Sequence, residues 1–220
     1  MSKISSMDNL KNQLGKLGEN VWTIPNILSM LRIIAIPFFV YFFLSEHFFI
    51  AVSIIFVSGL TDLFDGKIAR HFNQISELGK LLDPAADKLT QITVTLVYFK
   101  EFRGSEDQTL RAFSFVFLLF IIKEVTMIIC SFILLSMNII PEPAIIYGKV
   151  ATFAFYIVMG LLMLFAPHFG ALSKFWIMPH ALILILVTIS ATLTIVAFFS
   201  YIPDTLRKLK AKKNDLEDTQ

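Results

Sequence analysis

Four aspartates stand at spacings that would let them act as one unit. Asp62 and Asp65 lie three residues apart and are followed by Gly66, Ala69 and Arg70; Asp83 and Asp87 lie four apart, with Gly79 a further four before them. On a helix turning about 100° per residue, Asp62, Asp65 and Ala69 share one face. Gly79, Asp83 and Asp87 share a face of the next helix, and the short stretch between lets the two faces meet. Carboxylates gathered at one depth repel one another unless a cation or protons intervene. All four are oxygen donors, the ligand type of a hard divalent ion such as Mg²⁺ or Mn²⁺. The small residues Gly66, Ala69 and Gly79 allow close helix packing, or leave room for a bulky polar ligand against the metal. Packing alone accounts for the glycines but not for the aspartates. His47, His71, His168 and His180 are dispersed and form no second ligand set.

The elements that must carry these acids are membrane helices. Of 220 residues only 36 are charged, or 16%. A soluble domain averages about 25%, or roughly 55 at this length. Apolar residues make up 56%, 23 residues are Phe, and the mean hydropathy is +0.72. So much apolar surface cannot be hidden inside a water-soluble body of this size. A soluble enzyme, a disordered chain and a nucleic-acid binder are excluded, and the net charge of +2 points to no partner by itself. The lone Cys130 rules out an intrachain disulfide and a thiolate cluster.

A span needs about 20 mostly apolar residues. Six windows qualify, near Ile24–Leu44, Phe48–Ile68, Ser76–Phe99, Arg111–Leu135, Ile145–Ala166 and Ala181–Ile202. The second is apolar only over Phe48–Leu60, so to cross it must continue through Asp62 and Asp65, which sets both acids near a membrane face. Lysine and arginine counts give the orientation. One side receives Lys3, Lys11, Lys16, Lys67, Arg70, Lys80, Lys149, Arg207, Lys208, Lys210, Lys212 and Lys213, twelve in all, against Lys100, Arg103, Arg111 and Lys174 on the other. Both termini are therefore expected in the cytoplasm. Before the first span, Met7, Leu10, Leu14, Leu17 and Val21 recur every three or four residues, as in an interfacial amphipathic helix. The polar leader has no short apolar core, so a cleaved signal peptide is not expected. The expected fold is all-α: an amphipathic segment at 1–23, a six-helix domain at 24–202 and a charged cytoplasmic tail at 203–220.

Depth brings cations to the acids. Counted from the cytoplasmic ends at a rise of about 1.5 Å per residue, Arg32 lies about 12 Å deep, Asp87 about 16 Å and Lys123 about 18 Å, with Lys149 at the rim. Charges at such depths are expensive and face a bundle interior or a wet cavity. The layout is a polar cavity open to the cytosol and suited to anionic ligands.

These residues carry a resemblance. Asp62-x2-Asp65-Gly66-x2-Ala69-Arg70-x8-Gly79-x3-Asp83-x3-Asp87 matches the motif of the CDP-alcohol phosphotransferase family at all eight fixed positions. Ile24-Pro25-Asn26-Ile27-Leu28-Ser29 with Arg32 and Pro37, and Leu82-Asp83-Pro84-Ala85-Ala86-Asp87-Lys88, resemble the phosphatidylglycerophosphate synthases of that family. The resemblance is close over roughly residues 22–100. It implies a six-helix enzyme of the inner (plasma) membrane, usually a homodimer, with two Mg²⁺ or Mn²⁺ ions and an active site facing the cytoplasm. By analogy Asp62, Asp65, Asp83 and Asp87 hold the metals, and Asp87 is also the catalytic base. Asn26, Gly66, Ala69, Arg70, Ser76 and Gly79 then fall where the family binds CDP-diacylglycerol, and Arg32, Lys123 and Lys149 remain for the acceptor alcohol.

The chain departs from those synthases where an acceptor phosphate would be held. Lys123-Glu124 stands for the usual Arg-Glu, no arginine follows two turns on, and Gly148-Lys149-Val150-Ala151-Thr152 lacks the second lysine of Gly-Lys-x-Lys-Thr. Glycerol 3-phosphate is the preferred acceptor and phosphatidylglycerol, giving cardiolipin, the alternative. A divalent-cation transporter would also gather aspartates, but it needs access from both sides and gives Arg70 no role. Lys123-Glu124 could also be a structural ion pair. Thr90, Gln91, Thr93 and Thr95 are expected to hydrogen-bond between helices, and the basic tail to anchor the chain at the membrane surface.

Overall fold

The computed structural model describes residues 23–71, 77–136 and 146–217, with side chains at 62–71, 77, 78, 80, 81, 132, 135 and 136 and across most of 204–217 outside that description. Every regular element among the described residues is an α-helix: α1 Ile24–Leu44, α2 Phe48–His71, α3 Glu77–Arg103, α4 Gln108–Phe113, α5 Val116–Ser136, α6 Ile146–Phe165 and α7 His180–Glu217. The amphipathic segment expected at 1–23 lies outside the described residues, apart from Thr23. Among the described residues, four helical stretches are long and apolar enough to cross a membrane: Ile24–Leu44, Gln108–Ser131, Ile146–Phe165 and His180–Pro203. The two helices that fall short are those bearing the acids. In α2 the apolar stretch is only Phe48–Thr61, and α3 carries Lys80, Asp83, Asp87 and Lys88 in its first half.

The chain forms two compact units, divided within α3 between Thr93 and Val94. In the first, α1 packs on α2. Thr23 caps α1, its hydroxyl accepting from the Asn26 amide at 3.4 Å, and Pro25 falls in the first turn, where a missing N–H costs nothing. The buried face of α1 changes character along its length. It begins with Asn26, Ser29 and Arg32 and ends with Phe39 and Phe43. Polar groups are thus held inside the unit over the first half and aromatic bulk over the second. A tight turn reverses the chain: Glu46 takes φ 61°, and the His47 amide donates to the Phe42 carbonyl at 2.9 Å. As the sequence requires, α2 continues without a break past Asp62, Asp65 and Gly66 to His71.

In the second unit α7 packs against α4, α5 and α6. An aromatic cluster of Tyr98, Phe102, Phe117, Phe120, Phe155 and Phe169 fills its core. The Tyr98 hydroxyl donates to the Met159 carbonyl at 2.6 Å, which ties α3 to α6. The fourth expected span is divided at Ser114 and Phe115 into α4 and α5. Ser114 turns its hydroxyl onto the Arg111 carbonyl at 2.7 Å, and the Phe117 and Leu118 amides donate three residues back, which tightens the backbone there. Asp107 caps α4 through the Thr109 and Leu110 amides and also meets His180 Nδ1 at 2.9 Å. The loop after α6 returns its amides to the end of that helix: Gly170 donates to Ala166, Ala171 to Met163, Leu172 to Leu164 and Met178 to Phe165. The basic tail is not a separate coil, since α7 carries on through Pro203 to Glu217. Outward faces of α6 and α7 expose Phe153, Ile157, Ile185, Ile189 and Phe199, a surface suited to lipid.

Candidate active site

The described site is built on α1 and α3. Asp83 and Asp87 lie one turn apart on α3, so their Cβ atoms are about 5–6 Å from each other. Arg32 Nη1 donates to Asp83 Oδ1 at 3.2 Å, joining α1 to α3. The pair is asymmetric: the Arg32 side chain is 3% exposed and that of Asp83 is 52% exposed. Ser29, one turn before Arg32, approaches the same oxygen at 3.5 Å, but its hydroxyl lies nearer the Pro25 carbonyl, at 3.1 Å. A hydroxyl has one proton to give, so the shorter contact takes it and Arg32 dominates at Asp83. Asp87 Oδ2 accepts from Gln91 Nε2 at 2.9 Å, and Gln91 is buried. Thr90 donates to the Ala86 carbonyl at 2.9 Å. These bonds of Thr90 and Gln91 run within α3.

Asn26 is buried on the same face of α1 as Ser29 and Arg32, and Gly79 is half-buried near the start of α3. Asp62, Asp65, Gly66, Ala69 and Arg70 lie on the helical backbone of α2, their side chains outside the described residues. Ser76 lies outside the described residues altogether. Lys123 and Lys149 belong to the second unit. The Lys123 ammonium donates to Glu124, which is buried, so an ion pair of neighbours on α5 is present. Lys149 is exposed in the first turn of α6 and meets no partner among the described residues.

The donors fit a hard cation. Asp83 Oδ2 accepts from no described residue, its side chain is half-exposed, and Asp87 stands one turn further on with a second carboxylate. Among the described residues no three metal-binding side chains converge; Asp62 and Asp65, read as the other two ligands, lie outside that search. Sequence reasoning marked Asp83, Asp87 and Arg32 but not the links between them. The step of four from Asp87 to Gln91 was the one available signal for that contact, and nothing in sequence ties Arg32 to Asp83.

Helices apolar enough for a membrane, with Asp83 and Asp87 paired on one face of α3, define a membrane protein with a carboxylate site. The chain belongs to the CDP-alcohol phosphatidyltransferase family, whose pattern it matches over residues 22–202. With four helical stretches among the described residues long and apolar enough to cross a membrane, it is accordingly an integral membrane protein. Over 79 residues it is 52% identical to a putative cardiolipin synthase of Mycobacterium tuberculosis, a stretch covering 36% of this chain and 38% of that one. Over 129 residues it is 36% identical to a CDP-diacylglycerol–glycerol-3-phosphate 3-phosphatidyltransferase of Aquifex aeolicus, covering 59% and 68%. Over 83 residues it is 51% identical to the human cardiolipin synthase (CMP-forming), covering 37% and 27%. The matches at about 50% identity thus span well under half of those relatives' own length.

Proposed function

We propose that the protein transfers a phosphatidyl group from CDP-diacylglycerol to glycerol 3-phosphate, releasing CMP at the cytoplasmic face of the cell membrane. The observation that carries this reading is the pair of carboxylates, Asp83 and Asp87, on one face of α3 inside the eight-position motif. The acceptor oxygen attacks the phosphorus that bears the diacylglycerol, the bond to the CMP oxygen breaks, and the acceptor's proton passes to Asp87. A base must lie within hydrogen-bond reach of that hydroxyl, and Gln91 already fixes one Asp87 oxygen at 2.9 Å. The fork of Arg70 suits the pyrophosphate oxygens. Asp62, Asp65, Asp83 and Asp87 would hold Mg²⁺ or Mn²⁺, which supplies positive charge to the attacked phosphate and the departing CMP. Asn26, Gly66, Ala69, Ser76 and Gly79 border the donor.

The same reading includes six spans, with α2 and α3 crossing despite their acids, both termini cytoplasmic, and a homodimer. Support for the orientation comes from the twelve-to-four distribution of Lys and Arg. Support for the acceptor comes from the Aquifex aeolicus relative, the longest of the three alignments. A second acceptor, phosphatidylglycerol, is favoured by a specific observation: Arg32 and Lys123 already neutralise Asp83 and Glu124, which leaves fewer free cations for a doubly charged phosphate. The cardiolipin synthases among the relatives point the same way. CMP release from CDP-diacylglycerol, measured with each acceptor alone, tests both. No CMP with either acceptor refutes the reaction, and CMP with phosphatidylglycerol alone replaces the acceptor.

A further inference from the structure

The geometry points to Arg32 as a positioning residue that aims Asp83, a role distinct from holding the acceptor alcohol. The inference rests on the reading of Asp83 as a metal-binding carboxylate. Three observations on α1 and α3 carry it. Arg32 is 4% exposed, so an acceptor phosphate could reach its guanidinium only by displacing what covers it. Its Nη1 is engaged by Asp83 Oδ1 at 3.2 Å, so that phosphate would also have to compete with a carboxylate. The donor Arg32 Nη1 sits at Oδ1, with Ser29 Oγ 3.5 Å from the same oxygen, while Oδ2 accepts from no described residue.

The effect is to divide the labour of one carboxylate. Oδ1 is anchored to the buried guanidinium of Arg32 on α1, and Oδ2 of this half-exposed side chain is left for a ligand. Carboxylate ligands are commonly oriented by such a partner. A planar guanidinium suits the task because it fixes direction as well as charge. Lysine at this position would keep the charge and lose the fixed geometry.

The full-length protein in lipid nanodiscs tests this, with wild type, Arg32→Lys and Arg32→Gln compared. Binding of Mn²⁺ alone is read from the electron paramagnetic resonance signal of the free ion. CMP release is titrated separately with Mn²⁺ and with the acceptor. Loss of an outer partner typically weakens metal binding about 10- to 100-fold, and Arg32→Gln is expected to weaken Mn²⁺ binding within that range. The Mn²⁺ needed for half-maximal turnover should rise in step while acceptor KM stays at the wild-type value. Arg32→Lys should fall between the two. Removing Arg32 leaves a half-exposed carboxylate behind, which water can solvate, and Arg32→Lys keeps the test open should Arg32→Gln misfold. Unchanged Mn²⁺ binding with a raised acceptor KM overturns the proposal and returns Arg32 to the acceptor. Tighter Mn²⁺ binding overturns it too, because Arg32 would then be a rival of the ion. Wild-type protein that releases CMP yet binds no Mn²⁺ refutes the metal reading beneath, an outcome visible before any variant is made.

Discussion

Gln91 donates its side-chain amide to Asp87 Oδ2 at 2.9 Å across one turn of α3 and is itself buried. A hydrogen bond to a charged group contributes about 1.5–3 kcal/mol, enough to hold one carboxylate rotamer against its alternatives. If Asp87 is the base, that rotamer decides whether it meets the acceptor hydroxyl.

Gln91→Leu, of similar volume and without the donor, is expected to lower kcat about tenfold to hundredfold, in line with the loss of one charge-assisted bond. The KM for CDP-diacylglycerol should hardly move. Steady-state CMP release checks this, and an equal loss in both constants would make Gln91 a packing residue.

Asp87→Asn should abolish turnover while CDP-diacylglycerol binding stays within about an order of magnitude, because the amide keeps the shape but cannot take a proton. Binding of the donor to the purified variant is the measurement. If binding disappears together with turnover, Asp87 is needed to hold the ligand or the fold.

Chelation gives the metal prediction. Activity should vanish in excess EDTA and return with Mg²⁺ or Mn²⁺, since clustered carboxylates with oxygen-only chemistry call for a hard cation. Full activity in EDTA would remove the ions from the reaction.

Lys149, proposed for the acceptor, meets no partner among the described residues, whereas Lys123 is paired with Glu124. With glycerol 3-phosphate as acceptor, Lys149→Ala should raise acceptor KM about tenfold to hundredfold, the lower end of what a charged partner costs in a water-filled site. Lys123→Ala should act more weakly, because Glu124 already shares its charge. Kinetics of both variants with both acceptors decide the matter, and an unchanged acceptor KM in both excludes these lysines from the site.

Gly170 is the stability prediction. A Cβ there would stand 2.6 Å from the Ala166 carbonyl oxygen and 2.7 Å from its nitrogen, both backbone atoms of the α6 terminus. Gly170→Ala must therefore shift the loop that closes α6, at about 1–3 kcal/mol by comparison with other overpacked sites. Thermal unfolding in detergent should show a clearly lower Tm, with residual activity per folded molecule unchanged.

The hydropathy and the few charges determined a helical membrane protein, and the aspartate spacing carried its resemblance to the CDP-alcohol phosphatidyltransferase family, because each is a local property of the chain. A repeat of three or four residues fixes which groups share a helix face, and a run of apolar residues fixes what must avoid water. The necessity that α2 continue through Asp62 and Asp65 was legible in the same way, from a short apolar run that had to be lengthened. Tertiary structure decided what no spacing encodes. Arg32 and Asp83 are 51 residues apart, and only the fold of the first unit brings guanidinium and carboxylate to 3.2 Å. The Tyr98 hydroxyl likewise reaches the Met159 carbonyl 61 residues away, tying α3 to α6. Contacts between distant segments depend on the packing of whole helices, which the periodicity of any one of them leaves open.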